Sequence, residues 1–313
     1  MATEIVSAAV CTDADTASYF ELAARAGRKA LEQAGVSPDK IGLVVNAGVF
    51  RDSNIAEPAV AALLQKRLEV GLEYASGDVP AFSFDLMNGA NGVVHALMAV
   101  DCFVAAGDLE YAVVLAGDTH PSLQRDREDF PYTASGAALV LRASAEAGGF
   151  GRLYTTAAPD AVTTAWADLD AAGLEGRAAL SLEPGTGDPL EAAAQVVGDL
   201  LGGEGLDRND FATGAAVLLA PAPVPGFRER LAYKLGIPSA AVAGVNPAAG
   251  DPYSAAPVHA YVGAAELGLL GNAQVVVFLA VDDAAAAAIV YRTQPLELAR
   301  TAAGADSKYT GAE

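Results

Sequence analysis

The chain reads as an α/β protein made of a duplicated half. Three observations predict this. Helix-like and strand-like segments alternate along the chain. Several strand segments are apolar throughout, as strands covered on both faces are. One offset, 164 residues, carries a helix, its glycine stop and the following strand onto a second copy. At that offset Val94-His95-Ala96 meets Val258-His259-Ala260, Gly107 meets Gly271, Val113 meets Val277 and Asp118 meets Asp282. Earlier, Gly35-Val36-Ser37 before one strand answers to Gly205-Leu206-Asp207 before a strand at Ala215–Leu219. The copies are expected to pack about a pseudo-twofold axis, with residues 1–145 as one half, 146–300 as the other and 301–313 as a frayed polar tail.

The elements follow from local patterning. Tyr19–Ala34 is a helix, because Leu22, Ala23, Ala26, Ala30 and Leu31 fall on one face and Gly35 supplies the stop. Ile41–Val45 is a buried strand. Pro58–Leu68 is a helix with proline in its first turn, where the missing N–H costs nothing. Phe82–Leu86 is a strand, Gly92–Ala106 an apolar helix ended by Gly107, and Tyr111–Ala116 and Ala137–Leu141 are further buried strands. The link from Ser144 to Gly187 is rich in Ala, Gly and Asp and weakly patterned.

Composition narrows the function. The 313 residues are 52% hydrophobic and 19% charged, enough apolar material for a substantial core. The net charge of −20 repels nucleic-acid phosphates and anionic lipid, so neither is an expected partner. The arginine pairs Arg125/Arg127 and Arg228/Arg230 are interrupted by acids and read as solvated surface. No apolar run of about 18 residues lacks a polar interruption and no secretory leader is read at the N-terminus, so no membrane association and a cytoplasmic location are expected. Cys11 and Cys102 make neither a disulfide framework nor a zinc site; no metal or cofactor is expected. Cys102 reads as a small buried hydrophobe.

Four stretches carry a resemblance to a known family. These are Ala30–Val45, the Phe84–Asp118 segment containing Phe-Asp-Leu-Met-Asn-Gly-Ala-Asn-Gly, Ser135–Leu141, and Tyr233-Lys-Leu-Gly-Ile-Pro238. From about Ala23 to Arg292 the chain resembles the thiolase superfamily, most closely its ketoacyl-carrier-protein synthase III branch. The resemblance implies two βαβαβαββ halves in a five-layered αβαβα arrangement. It also implies a cysteine nucleophile at a strand-to-helix elbow, a histidine and an asparagine beside it, and an oxyanion site made partly by a glycine-rich loop.

Position by position, that chemistry is missing. The cysteine falls on Ala90 (on Asn91 after a one-residue slip), the histidine on Pro221 or Ala222, and the asparagine on Pro252. The glycine-rich loop reads Val281-Asp282-Asp283, whose carboxylates would oppose a developing oxyanion. The elbow arrives early, as if an N-terminal clamping segment were lacking. No Trp-plus-Arg clamp stands in residues 1–50; the single tryptophan is Trp166.

Other polar groups have plain alternatives. His95 and His259 are either an acid/base pair near the pseudo-twofold or two core histidines each bonded to a neighbour. Asp118-Thr119-His120 is either a relay or a turn ending a strand. Asp282-Asp283 is either a metal site or a solvated pair, and Gly148–Gly151 lacks a phosphate-loop lysine.

Three functions remain. The first is a non-condensing subunit of fatty-acid or polyketide-type biosynthesis, a homo- or heterodimer with a ketosynthase-like chain. It would pair through the apolar strand Val79–Leu86, an element prone to aggregate if left open. The second is an acyltransferase or thioester hydrolase with non-cysteine chemistry, with Asn88, Asn91 and His95 as substrate-binding candidates. The third is a homodimeric binding protein for an acyl thioester or another apolar ligand.

Overall fold

The computed structural model describes residues 1–72, 81–107, 109–125, 127–146, 148–158, 161–167 and 177–294. The first half supplies β1 (Ala2–Cys11), α1 (Tyr19–Ala34), β2 (Ile41–Asn46), α2 (Val60–Arg67), β3 (Phe82–Asp85), α3 (Gly92–Ala106), β4 (Tyr111–Ala116) and β5 (Gly136–Ser144). The second half opens with β6 (Gly149–Phe150), β7 (Tyr154–Thr156), β8 (Thr164–Trp166) and β9 (Ser181–Glu183). It continues with α4 (Pro189–Glu204), α5 (Arg208–Ala212), β10 (Ala216–Ala220) and α6 (Phe227–Leu235). It closes with β11 (Val242–Gly244), α7 (Ala256–Glu266), β12 (Val275–Asp282) and β13 (Ala285–Arg292).

Two sheets repeat one topology. The first runs β1-β5-β4-β2-β3; the second runs β11-β10-β12-β13-β6, with β7 also on β13. In each, two parallel pairings (β3-β2-β4, β11-β10-β12) give way to antiparallel ones (β4-β5-β1, β12-β13-β6). The 164-residue offset places the first residue of α3 on that of α7 and the first residue of β4 on that of β12. The pair β8–β9 is a separate ribbon.

Strand alternation sorts the side chains into layers. On β4 and β5, Ala112, Val114, Leu139 and Leu141 enter a central cluster, whereas Val113, Leu115, Ala138 and Val140 enter an outer one. On β12, Val276 and Phe278 join the same central cluster and Val277 and Leu279 a different outer one. Helices α3 and α7 fill the centre through Val93, Val94, Leu97, Val258 and Ala260. Helices α1 and α2 cover one sheet from outside, and α4, α5 and α6 the other. The order is therefore αβαβα, the thiolase-like arrangement. Helix α1 lies so close on β5 that a Cβ on Gly136 would sit 2.2 Å from the backbone carbon of Leu22.

Asp118 holds the halves together. It is fully buried just past β4. It accepts from the amides of Val49 (3.0 Å) and Phe50 (2.8 Å) in its own half, and from the amide (3.0 Å) and hydroxyl (2.5 Å) of Ser254 in the other. The Ser254 hydroxyl in turn accepts from Gly117 N at 3.1 Å. The turn expected here is thus a buried polar clamp.

Several expectations are corrected. Residues 2–11, given no element above, form a strand because β5 offers them a long antiparallel edge. Pro58 precedes α2, whose first amides, Val60 N (2.9 Å) and Ala61 N (2.7 Å), donate to the Asp85 carboxylate. The stop after α7 is Gly268 (φ 73°), not Gly271. The weakly patterned link carries β6 and β7, which complete the second sheet. Cys102 is exposed and Cys11 is the buried cysteine. Arg125 is no solvated charge: it donates to the carbonyls of Asp13 (2.8 Å), Thr12 (3.2 Å) and Ala134 (3.3 Å). Gly89–Ala106 is long and apolar enough, by length and composition, to cross a membrane, yet half of it is buried in this fold. Val79 and Pro80, the start of the expected pairing strand, and the tail 301–313 lie outside the described residues.

Candidate functional site

The site expected from the sequence lies where β3 turns into α3. Leu86 N donates to Asn46 O (2.7 Å), fixing the end of β3 beside β2. A turn closed by Asn91 N on Asn88 O (3.0 Å) then delivers Ala90 to the head of α3, 4% exposed. Gly89 permits the turn by its φ of 53°.

The acids after β12 close over this elbow. The Asp282 carboxylate accepts the Tyr253 hydroxyl on Oδ2 at 2.5 Å and faces the Ala90 amide, which lowers its pKa. Burial pushes the Asp282 carboxyl up; Tyr253 opposes the rise and neighbouring Asp283 adds to it. Asp283 is held by Thr163, through its amide (2.9 Å) and hydroxyl (2.5 Å). The reading of Asp282-Asp283 as a solvated pair is therefore corrected, because each carboxylate has protein donors.

Tyr253 fills the space before Ala90. Its ring stacks on Tyr132 (centroids 4.0 Å) and leans on Phe50 (5.6 Å), with Phe130 set edge-on to Phe50. The cavity bounded by Ala90, Pro221, Asp251, Tyr253, Ala256 and Pro257 measures about 10 Å³, barely a water. Beyond it, on the other side of Tyr253, a groove of about 280 Å³ runs past Tyr132, Thr163, Asp251, Asp282 and Asp283. A much larger groove, about 1340 Å³, lies along α4 and shares no residue with the elbow.

The structure brings together two of the positions inferred from the family. Ala90 and Pro221 face one cavity; Pro252 does not line it, but its neighbours Asp251 and Tyr253 do. Asn88, Asn91 and His95 line neither that cavity nor the groove. Asn91 is buried and its Oδ1 has no partner among the described residues. His95 Nδ1 lies 3.0 Å from Asn91 O and 3.5 Å from Asn88 Nδ2. His259 departs from the expectation that each histidine bonds a neighbour: its buried Nε2 has no partner among the described residues. Sequence reading passed over Tyr253, Tyr132 and Asp251, and the aspartate-proline-tyrosine run at 251–253 was the available signal.

His259 and Asp118 make opposing pH-dependent contributions. Burial holds the imidazole at about 4, below its usual 6.5, so its stabilising contribution is complete above about pH 6.5 and is lost as pH falls to about 4. Burial holds the Asp118 carboxyl at about 6, so its contribution is complete below about pH 4 and is lost as pH rises through 6. His259→Leu should therefore gain stability over wild type by up to about 3 kcal/mol as pH drops from about 6.5 to 4. Urea midpoints across that range measure it, and an unchanged difference would refute it.

Comparison with known proteins agrees with this architecture. No family model matches the chain. A beta-ketoacyl-[acyl-carrier-protein] synthase III of Rhizorhabdus wittichii is 30% identical over 136 residues, 43% of this chain and 40% of the relative. The chain thus matches well under half the length of that relative. A 3-oxoacyl-(acyl carrier protein) synthase III structure from Pseudomonas aeruginosa is similar at a TM-score of 0.76 and 20% identity, over 94% of this chain and 99% of that one. A structure of OleA from Xanthomonas campestris, described with bound lauric acid and lauroyl-CoA, is similar at 0.73 and 16% identity, over 94% and 99%. In fold the chain is thiolase-like, and over the matched stretch its sequence is similar to that of the synthase III relative.

Proposed function

We propose that this chain is a non-condensing, synthase-III-like subunit of fatty-acid or polyketide-type biosynthesis that assembles with a ketosynthase-like chain. One observation carries the reading: the Asp282 carboxylate faces the Ala90 amide, placed where such enzymes need an oxyanion donor, and holds the Tyr253 hydroxyl across the elbow at 2.5 Å. A thioester carbonyl that developed negative charge there would meet the Asp282 anion beside that N–H. The neighbouring space is about 10 Å³ and lined by alanine and prolines where a thiol and an imidazole would be required. Acyl transfer or hydrolysis by Asn88, Asn91 and His95 has less support, since none of them reaches the cavity or the groove.

Assembly is proposed through β3. Among the described residues it is the edge strand of the first sheet, and Phe82 (43% exposed) and Phe103 (37%) meet there at 5.3 Å between ring centroids. An open edge bearing exposed aromatic rings favours pairing with another such edge. Phe82→Lys should convert an assembled species to monomer at equal concentration, read by light scattering after size exclusion; an unchanged mass would refute this edge. The subunit role itself is tested by purifying the tagged chain from its own cells, where a cytoplasmic complex is expected. Co-purification of a thiolase-like chain with a cysteine at its elbow is the expected result. A lone species that turns over acyl thioesters would contradict it.

A further inference from the structure

The elbow carries a chemistry that acyl transfer leaves unused. Its turn reads Asn88-Gly89-Ala90-Asn91-Gly92, and holds the only two asparagine–glycine pairs of the sequence. An asparagine side-chain amide followed by glycine is open to attack by the glycine's backbone nitrogen, because no Cβ on the second residue hinders ring closure. The fold treats the two pairs differently. Asn91 is buried, its carbonyl accepts from His95 N (3.3 Å), and Gly92 N donates to Gly89 O (3.4 Å), so the head of α3 holds that peptide in place. Asn88 is exposed, and among the described residues the Gly89 N–H donates to none. Position 89 is also bound to stay glycine. Its φ is 53°, and a Cβ there would lie 2.6 Å from Asp282 Oδ2. The residue that makes Asn88 reactive is therefore the one the elbow cannot exchange.

His95, at the start of α3, adds a proton donor. Its Nδ1 lies 3.0 Å from Asn91 O, a group that only accepts, so Nδ1 carries the hydrogen. The same Nδ1 lies 3.5 Å from Asn88 Nδ2, the atom that leaves when the side-chain amide is attacked. We propose that Asn88 is a self-modifying residue: Gly89 N closes on Asn88 Cγ, His95 protonates the departing Nδ2, and water opens the resulting succinimide ring to aspartate or isoaspartate. The N–Cγ bond forms and the Cγ–Nδ2 bond breaks. The Gly89 proton passes to water, Nδ1 of His95 gives its proton to the leaving nitrogen, and Nε2 takes one up from water. In total one water is consumed and one ammonia released, with no change of oxidation state. The product places a new carboxylate on the exposed turn after β3. The inference goes beyond the non-condensing reading and does not rest on it.

The test ages the full chain at neutral pH and follows it by peptide mass spectrometry, with fragment masses assigning each amide-to-acid exchange to residue 88 or 91. Exchange is expected at Asn88 and not at Asn91. It should be faster in the folded chain than in the same chain unfolded in guanidinium chloride, where nothing holds the imidazole at the amide. His95→Gln should slow exchange at Asn88 by at least about tenfold, the low side of what a positioned proton donor contributes. An Asn88 that keeps its amide, equal exchange at both asparagines, a folded chain no faster than the unfolded one, or an unchanged rate in His95→Gln would each overturn the proposal. Should His95→Gln fail to fold, the folded and unfolded native chains decide the matter alone. None of these results bears on co-purification with a partner chain, so the two proposals fail separately.

Discussion

Asp118→Ala should lower the stability of the chain by about 3–5 kcal/mol, a large fraction of the roughly 5–15 kcal/mol that holds an ordinary domain folded. The clamp leaves four donors behind: the amides of Val49, Phe50 and Ser254, and the Ser254 hydroxyl. Phe50, Ser254 and Asp118 are buried and Val49 is half-buried, so at least three of the four donors are cut off from water. Each unsatisfied donor costs about 1–3 kcal/mol. Against this stands the relief of a buried carboxylate whose pKa of about 6 lies above the ordinary 3.8, worth about 3 kcal/mol at neutral pH. The lost hydrogen bonds outweigh that relief. Asp118→Asn keeps one carbonyl acceptor and should cost about half as much. Urea unfolding near pH 7 measures both, and a change below about 1 kcal/mol for the alanine variant would show that the clamp does not tie the halves together.

The second large effect concerns chemistry. Ala90→Cys alone should take up no acyl group from an acyl-coenzyme A, whereas Ala90→Cys with Asp282→Gly should become acylated. The single variant sets a thiol near the Asp282 carboxylate, which faces the residue-90 amide and disfavours the thiolate. Removing the carboxylate takes the anion away from that amide and deprives the Tyr253 hydroxyl of its acceptor, so the ring can leave the elbow. One oxyanion donor accounts for about 10²–10³ in rate in enzymes that use it, so at least about a hundredfold should separate the two variants. Intact-protein mass over time gives the rates. Equal acylation of both would show that Asp282 does not close the site.

The fold was legible because its signals are local or periodic. Helix α1 was bounded correctly by its apolar stripe and Gly35, and α3 by its continuous apolar run and Gly107. The 164-residue offset, read from short matches such as those around His95 and His259, coincides with the starts of paired elements in the two halves. Strand β1 was missed because its burial alternates unevenly and its register with β5 shifts between Ile5 and Ser7. At the site, the sequence marked the elbow and the acids after β12. What it did not convey is that Tyr253, more than 160 residues from Ala90, would fill the space and bind Asp282. That contact depends on how the halves meet, which no local pattern encodes. The exposure of Cys102 was misjudged for a similar reason: a nearly all-apolar helix does not announce which side its neighbours leave open.

The most direct measurement is a crystal structure of the wild-type chain grown with saturating lauroyl-coenzyme A, resolved well enough to place the side chains of Tyr253 and Asp282. The predicted result keeps Asp282 on the Tyr253 hydroxyl and facing the Ala90 amide, with no acyl chain passing residue 90. An acyl chain running beside Ala90, with Tyr253 rotated away and the thioester oxygen on the Ala90 amide, would contradict the closed site on which the non-condensing role depends.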